Sequence, residues 1–209
     1  MLRELGFIKQ AISITGTKNL MEHAYKSNII LFRDLRIRGI KNKVDNILHG
    51  TRSFAGEYAD GSKVVSIASK KYKGLIPITN KYIRRAKETI TPRNTFIHEL
   101  GHVEGGMPLL IPYKESPTKH VLGLLTNERA ANKAGIELLS KHETVGNRAS
   151  SIADFKKSRA IPYKSYKIMV VKHFLDRGPI RNLVQKTKLT DVKNVYKKYP
   201  DLMKKPWEV

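Results

Sequence analysis

Thr91-Pro92-Arg93-Asn94-Thr95-Phe96-Ile97-His98-Glu99-Leu100-Gly101-His102-Val103-Glu104-Gly105-Gly106 is the stretch on which the reading of this chain turns. Residues Pro92 to Glu104 predict a short helix. Thr91 is a good N-cap, proline suits the first helical position, and the two glycines supply the stop. Inside it sits His98-Glu99-Leu100-Gly101-His102, in which a spacing of four residues puts both histidines on one face, a turn apart. Two imidazoles so placed can share one metal ion. Glu99 points toward a ligand of that ion, and Phe96, Ile97, Leu100 and Val103 are left to face the core. With seven histidines in 209 residues, this HExxH pattern is not a product of composition.

A catalytic zinc site needs three protein ligands and an open position, so the third ligand is the discriminating question. The extended HExxHxxGxxH pattern fails, because Pro108 stands where its third histidine belongs. Downstream, Asn127 to Leu139 reads as a second helix, capped by Thr126 and followed by Lys141 and His142. Glu128 lies in its first turn, with Ala131, Ala134 and Leu138 on the neighbouring face. Small alanines permit a close approach to the first helix, which a carboxylate needs in order to reach an ion held by two histidines opposite. Glu115, in the loop between the helices, and His120 are the lesser alternatives.

These residues resemble the ImmA/IrrE-type zincin metallopeptidases, as found in phages and mobile elements, and more broadly the gluzincins. The similarity is carried by His98, Glu99, His102, Glu128, Ala131, Asn132, Leu138 and Leu139, with Ala134 and Gly135 departing from the bulkier pair usual there. It covers about residues 75–140. The resemblance implies a zincin-like core, zinc on His98, His102 and Glu128, Glu99 as general base, and Asn132 orienting a ligand histidine. Tyr113 and His120 are candidate oxyanion stabilisers from the intervening stretch, whose prolines at 108, 112 and 117 forbid a continuous helix.

Forty Lys and Arg against 18 Asp and Glu leave a net charge of +22, which self-repels strongly unless a polyanion is near. DNA or RNA is the expected partner of that charge, beside a protein or peptide substrate. The candidate contacts are Arg33, Arg36, Arg38, Lys41 and Lys43 near the start, and Lys156, Lys157 and Arg159 later. No cysteine is present, so His and carboxylate are the strong zinc ligands available. Apolar runs such as Ile29-Ile30-Leu31-Phe32 are far shorter than a membrane span. Met1 to Gly6 carries no apolar leader, so a cytoplasmic location is expected, with packaging in a virus particle as the alternative.

Residues 1–50 read as a basic helical extension, with Thr17 capping a helix that runs on past Leu35. Residues 51–145 read as the zincin-like core. Its strands are expected at Ser53–Ala59 and Lys63–Ala68 around an Asp60-Gly61 turn, and at Leu75–Asn80, where Pro77 marks an edge. Residues 146–209 read as a basic helical region packed on the core, with one segment after Asn147, a second after Pro162, and two shorter ones beyond Gly178-Pro179. The expected fold is α+β, mostly helical, with a small antiparallel sheet. The expected function is zinc-dependent peptide hydrolysis. The alternative is a basic nucleic-acid-associated or virion structural protein that retains a zincin-like core.

Overall fold

A computed structural model of the chain describes residues 16–33, 54–57, 61, 63–67, 91–106, 110–175 and 189–209. Among these residues the protein is mostly helical, with five α-helices. They are α1 (Lys18–Lys26), α2 (Pro92–Glu104), α3 (Pro117–His142), α4 (Val145–Leu175) and α5 (Leu189–Lys198), followed by a 3-10 turn at Pro200–Met203. Three short strands, β1 (Ile29–Arg33), β2 (Phe54–Glu57) and β3 (Lys63–Ile67), pair in the order β1-β3-β2. No helix among the described residues is long and apolar enough to cross a membrane.

β2 and β3 pair antiparallel, Phe54 opposite Ser66 and Glu57 opposite Lys63, with Gly61 between them at φ +80°. β1 pairs with β3 in parallel, Ile29 opposite Lys63 through Arg33 opposite Ile67. The pairing is therefore mixed, where an antiparallel sheet was expected. The helix that Thr17 begins also ends sooner than its periodicity suggested. Asn28 takes φ +54°, a left-handed conformation that asparagine tolerates. The β-branched Ile29-Ile30 then continue as strand, which suits side chains stiff at χ1. The expected strand at Leu75–Asn80 lies outside the described residues.

α2 forms where the sequence placed it, with the Thr91 hydroxyl accepting from the Asn94 amide at 3.1 Å. α3 starts ten residues before the expected Thr126 cap. Ser116 is the N-cap and Pro117 takes the first helical position, while the Thr126 hydroxyl, inside the helix, donates to Leu122 O at 3.2 Å. α4 runs through Pro162 without ending. An internal proline costs about 3 kcal/mol, but both halves of α4 are buried in separate cores, which offsets it. Phe155 packs with Leu20, Met21, Ile29, Val65, Phe96, Leu100 and Leu139. Tyr163, Val170 and Val171 pack with Leu125, Val195 and Leu202.

α2 crosses α3 at backbone distance. A methyl group added to Gly101 would overlap the Ala131 carbonyl oxygen and lie 3.1 Å from the Gly135 amide nitrogen. A methyl on Gly135 would meet Phe155 of α4 at 2.7 Å. Arg93 ties the start of α2 to the α3–α4 turn, donating to Gly16 O at 3.0 Å, to Ser151 Oγ at 3.1 Å and to the Glu143 carboxylate.

Gly101→Ala tests this crossing. Helix propensity alone favours alanine by up to about 1 kcal/mol, whereas overpacking against backbone costs about 1–3 kcal/mol or more. The expected outcome in denaturant unfolding is a net loss of stability. A neutral or stabilised variant would mean that the helices do not meet at this glycine.

Candidate metal centre

Three side chains from two helices converge. His98 and His102 project from one face of α2 with ring centroids 4.6 Å apart, and Glu128 reaches them from α3. His98 Nε2 lies 3.3 Å from Glu128 Oε2, and His102 Nε2 lies 3.6 Å from Oε1. The three ligand atoms all fall within 4.8 Å of one another, and among the described residues this is the group able to hold a metal ion. Two ligands bound tetrahedrally at ~2.0–2.1 Å from zinc stand about 3.4 Å apart, so the donor types fit that ion and the two imidazole–carboxylate separations match its spacing.

The histidine tautomer follows from its neighbours. Asn132, one turn after Glu128 and 1% exposed, presents Oδ1 to His98 Nδ1 at 2.9 Å and to Arg159 Nε at 3.3 Å. Its Nδ2 donates to the Pro206 carbonyl at 2.9 Å. A guanidinium only donates and a carbonyl only accepts, so the amide has one orientation. The oxygen faces His98, Nδ1 of His98 carries the proton, and Nε2 offers its lone pair toward Glu128 and the metal position.

Charge in this pocket is strongly perturbed. Burial, reinforced by the Arg159 charge, lowers His98 to about 4, so the ring is neutral at physiological pH. Burial raises the Glu128 carboxyl, but the hydrogen bond from the His102 imidazole opposes this, and the group lies below the usual carboxylate range. Glu99, next to His98 in sequence, lies outside the candidate metal group found among the described residues. Burial pushes it up to about 7, against the opposing pull of His102 and Arg159. A carboxyl poised near neutrality can both take and return a proton.

The remaining candidates lie elsewhere. Tyr113 is 52% exposed and stacks edge-on with His120 and His173, while His120 Nδ1 donates to Ile111 O at 2.8 Å. Glu115 is exposed in the turn before α3. Arg36, Arg38, Lys41 and Lys43 lie outside the described residues, and Arg33 ends β1. Lys157 is exposed, and Lys156 sits over the Trp207 ring at 5.1 Å. Arg159, expected on a cationic surface, is instead buried, with Nη2 4.0 Å from Glu128 Oε2. Phe155, Arg159 and Tyr163 recur at four-residue spacing, a signal that could place Arg159 on an apolar helix face but not beside Glu128. The Pro206 carbonyl had no such signal. No protein-family model, curated protein or solved structure matches the chain.

The two buried shifts act in opposite directions on the metal-free fold. Glu99, raised to about 7, stabilises the fold fully below the unfolded carboxylate range, and this contribution is lost as pH rises through 7. His98, lowered to about 4, contributes stability above its unfolded value of about 6.5, lost as pH falls toward 4. Glu99→Gln removes the first effect. In chelator-stripped protein the variant should exceed the native chain in unfolding free energy by about 3 kcal/mol at pH 8, with the gap closing near pH 4.5. A gap independent of pH would mean that Glu99 is not held protonated by its burial.

Proposed function

We propose that the protein is a zinc-dependent metallopeptidase of the gluzincin type, resembling the ImmA/IrrE group. The observation that carries this reading is the convergence of His98, His102 and Glu128 within 4.8 Å; the buried Glu99 next to His98, raised by burial to about 7, supports it. Bound there, zinc would supply Lewis acidity toward water and toward a scissile carbonyl oxygen.

The chain's own residues account for the rest of the reaction. His98 and His102 supply neutral nitrogens and Glu128 one negative charge, so the ligand set leaves a divalent ion with net positive charge. Glu99 takes a proton from the attacking water as oxygen bonds to the carbonyl carbon. It then delivers that proton to the amide nitrogen as the carbon–nitrogen bond breaks, and the second proton of the water also passes to the amine, releasing a carboxylate and an ammonium. Asn132 keeps the His98 ring in the ligating orientation throughout.

Protein purified without chelator should carry about one zinc per chain by elemental analysis. Glu99→Gln should keep that metal and lose about 10²–10⁴-fold in peptide hydrolysis, whereas His98→Ala and Glu128→Ala should lose the metal. Glu115→Ala and His120→Ala should keep it. Absence of stoichiometric transition metal, with none taken up on addition, would end this reading.

The net charge of +22 favours a second property, binding of DNA or RNA through exposed cations such as Lys157. Log affinity should then fall linearly with log salt concentration. Neutralising Arg36, Arg38, Lys41 and Lys157 together should flatten that slope while leaving zinc content unchanged. No detectable binding near physiological salt would remove nucleic acid as the partner.

A further inference from the structure

Residues 201–208 take no part in the reaction proposed above, yet they are pinned beside its metal centre from several sides. Leu202 is fully buried in the second core. The buried Arg129 donates to Asp201 O at 2.8 Å. Lys156 of α4 covers the Trp207 ring. The turn is closed on itself by the Lys205 amide donating to Glu208 Oε2 at 2.8 Å. Between these anchors, the Pro206 carbonyl meets Asn132 Nδ2.

That one backbone oxygen has leverage on the ligand set. With the Pro206 carbonyl in place, and Arg159 Nε on the other end of the amide, Asn132 can present only its oxygen to His98 Nδ1. Without them the amide is free to rotate by half a turn. Its NH₂ would then face Nδ1, forcing the His98 proton onto Nε2, the atom needed for the metal. An unpartnered carbonyl or amide in this buried site would also carry a desolvation cost, so the two arrangements are not equivalent.

We infer that the segment Asp201–Trp207 is a positioning strap for the metal centre, its Pro206 carbonyl acting with the Arg159 guanidinium to hold Asn132, and through it His98, in the metal-binding arrangement. This rests on the metal reading of the site. Coupling of this kind is reciprocal: if the docked strap raises metal affinity by some factor, bound metal tightens the docking of the strap by the same factor.

Trp207 is the chain's one tryptophan, so intrinsic fluorescence reports on the strap directly. Zn²⁺ titrated into the full, metal-stripped chain should change Trp207 emission and saturate at one equivalent. Affinity is measured in parallel by chelator competition. A chain ending after Lys205 should bind zinc about 10–100-fold more weakly. Pro206→Ala, which keeps the carbonyl, should bind within about threefold of the native chain, as expected for a backbone contact. Because the shortened chain could fold poorly, Arg159→Lys supplies an independent arm. Its primary amine cannot reproduce the guanidinium fork, and it should weaken zinc binding without abolishing the Trp207 response. Zinc bound stoichiometrically with no change in Trp207 emission, and with equal affinity in the shortened chain, would overturn the strap while leaving the metal site standing. No zinc bound by the native chain would overturn the metal reading, and the strap with it.

Discussion

The approach of α2 to α3 at Gly101 is the contact on which the rest depends. Side chains of ordinary size would hold two helices about 8–10 Å apart. Glycine at 101 against the backbone of Ala131 and Gly135 removes that spacer, and the metal candidates flank the contact on both helices. His98 and His102 lie on either side of Gly101 in sequence, and Glu128 and Asn132 lie on either side of Ala131. The residue that permits the crossing therefore also aligns the candidate ligands. Ile97, Leu100 and Val103 fill the same helix's opposite flank in the main core, so the orientation of the histidines is fixed by hydrophobic packing before any ion binds.

Placing His98, Glu99, Glu128 and Arg159 together in a poorly solvated pocket is costly unless the charges are matched. Matching is incomplete in an instructive way. Arg159 is 4.0 Å from Glu128 Oε2, too far for a hydrogen bond, and its Nε is turned to Asn132 instead. The guanidinium thus supplies long-range positive charge without occupying the carboxylate oxygens, which remain directed at the imidazoles. The same charge helps keep His98 neutral, the state a ligand requires. One buried cation serves the carboxylate, the histidine and the amide between them.

Several features of the fold turned on competition between local and tertiary effects. Pro162 reads as a helix breaker, and locally it is one, yet α4 continues because Phe155 before it and Tyr163 after it are each locked into a core. Prolines between the ligand helices also concealed Ser116-Pro117, a helix-start signature, so α3 begins earlier than its apolar pattern suggested. Leu20, Ala24, Ile30, Leu31 and Leu35 recur loosely at helical spacing, but Ile29–Arg33 pairs with the strand Lys63–Ile67, thirty residues further on. Pairing at that distance leaves no trace in a local window.

The local chemistry of the two helices is written in the residues alone. Thr91-Pro92 and Gly105 bound α2, a four-residue spacing sets His98 and His102 on one face, and the alanines around Glu128 mark a helix able to come close. Each of these depends on neighbours within a turn or two, where backbone geometry is nearly the same in every protein. The tertiary structure alone decided which side chains complete the site. Arg159 and the Pro206 carbonyl lie 27 and 74 positions from Asn132, and their meeting on one amide is set by the α3–α4 packing and by the burial of Leu202. Long-range burial decides such contacts, and a backbone carbonyl carries no residue-specific mark by which a sequence could announce it.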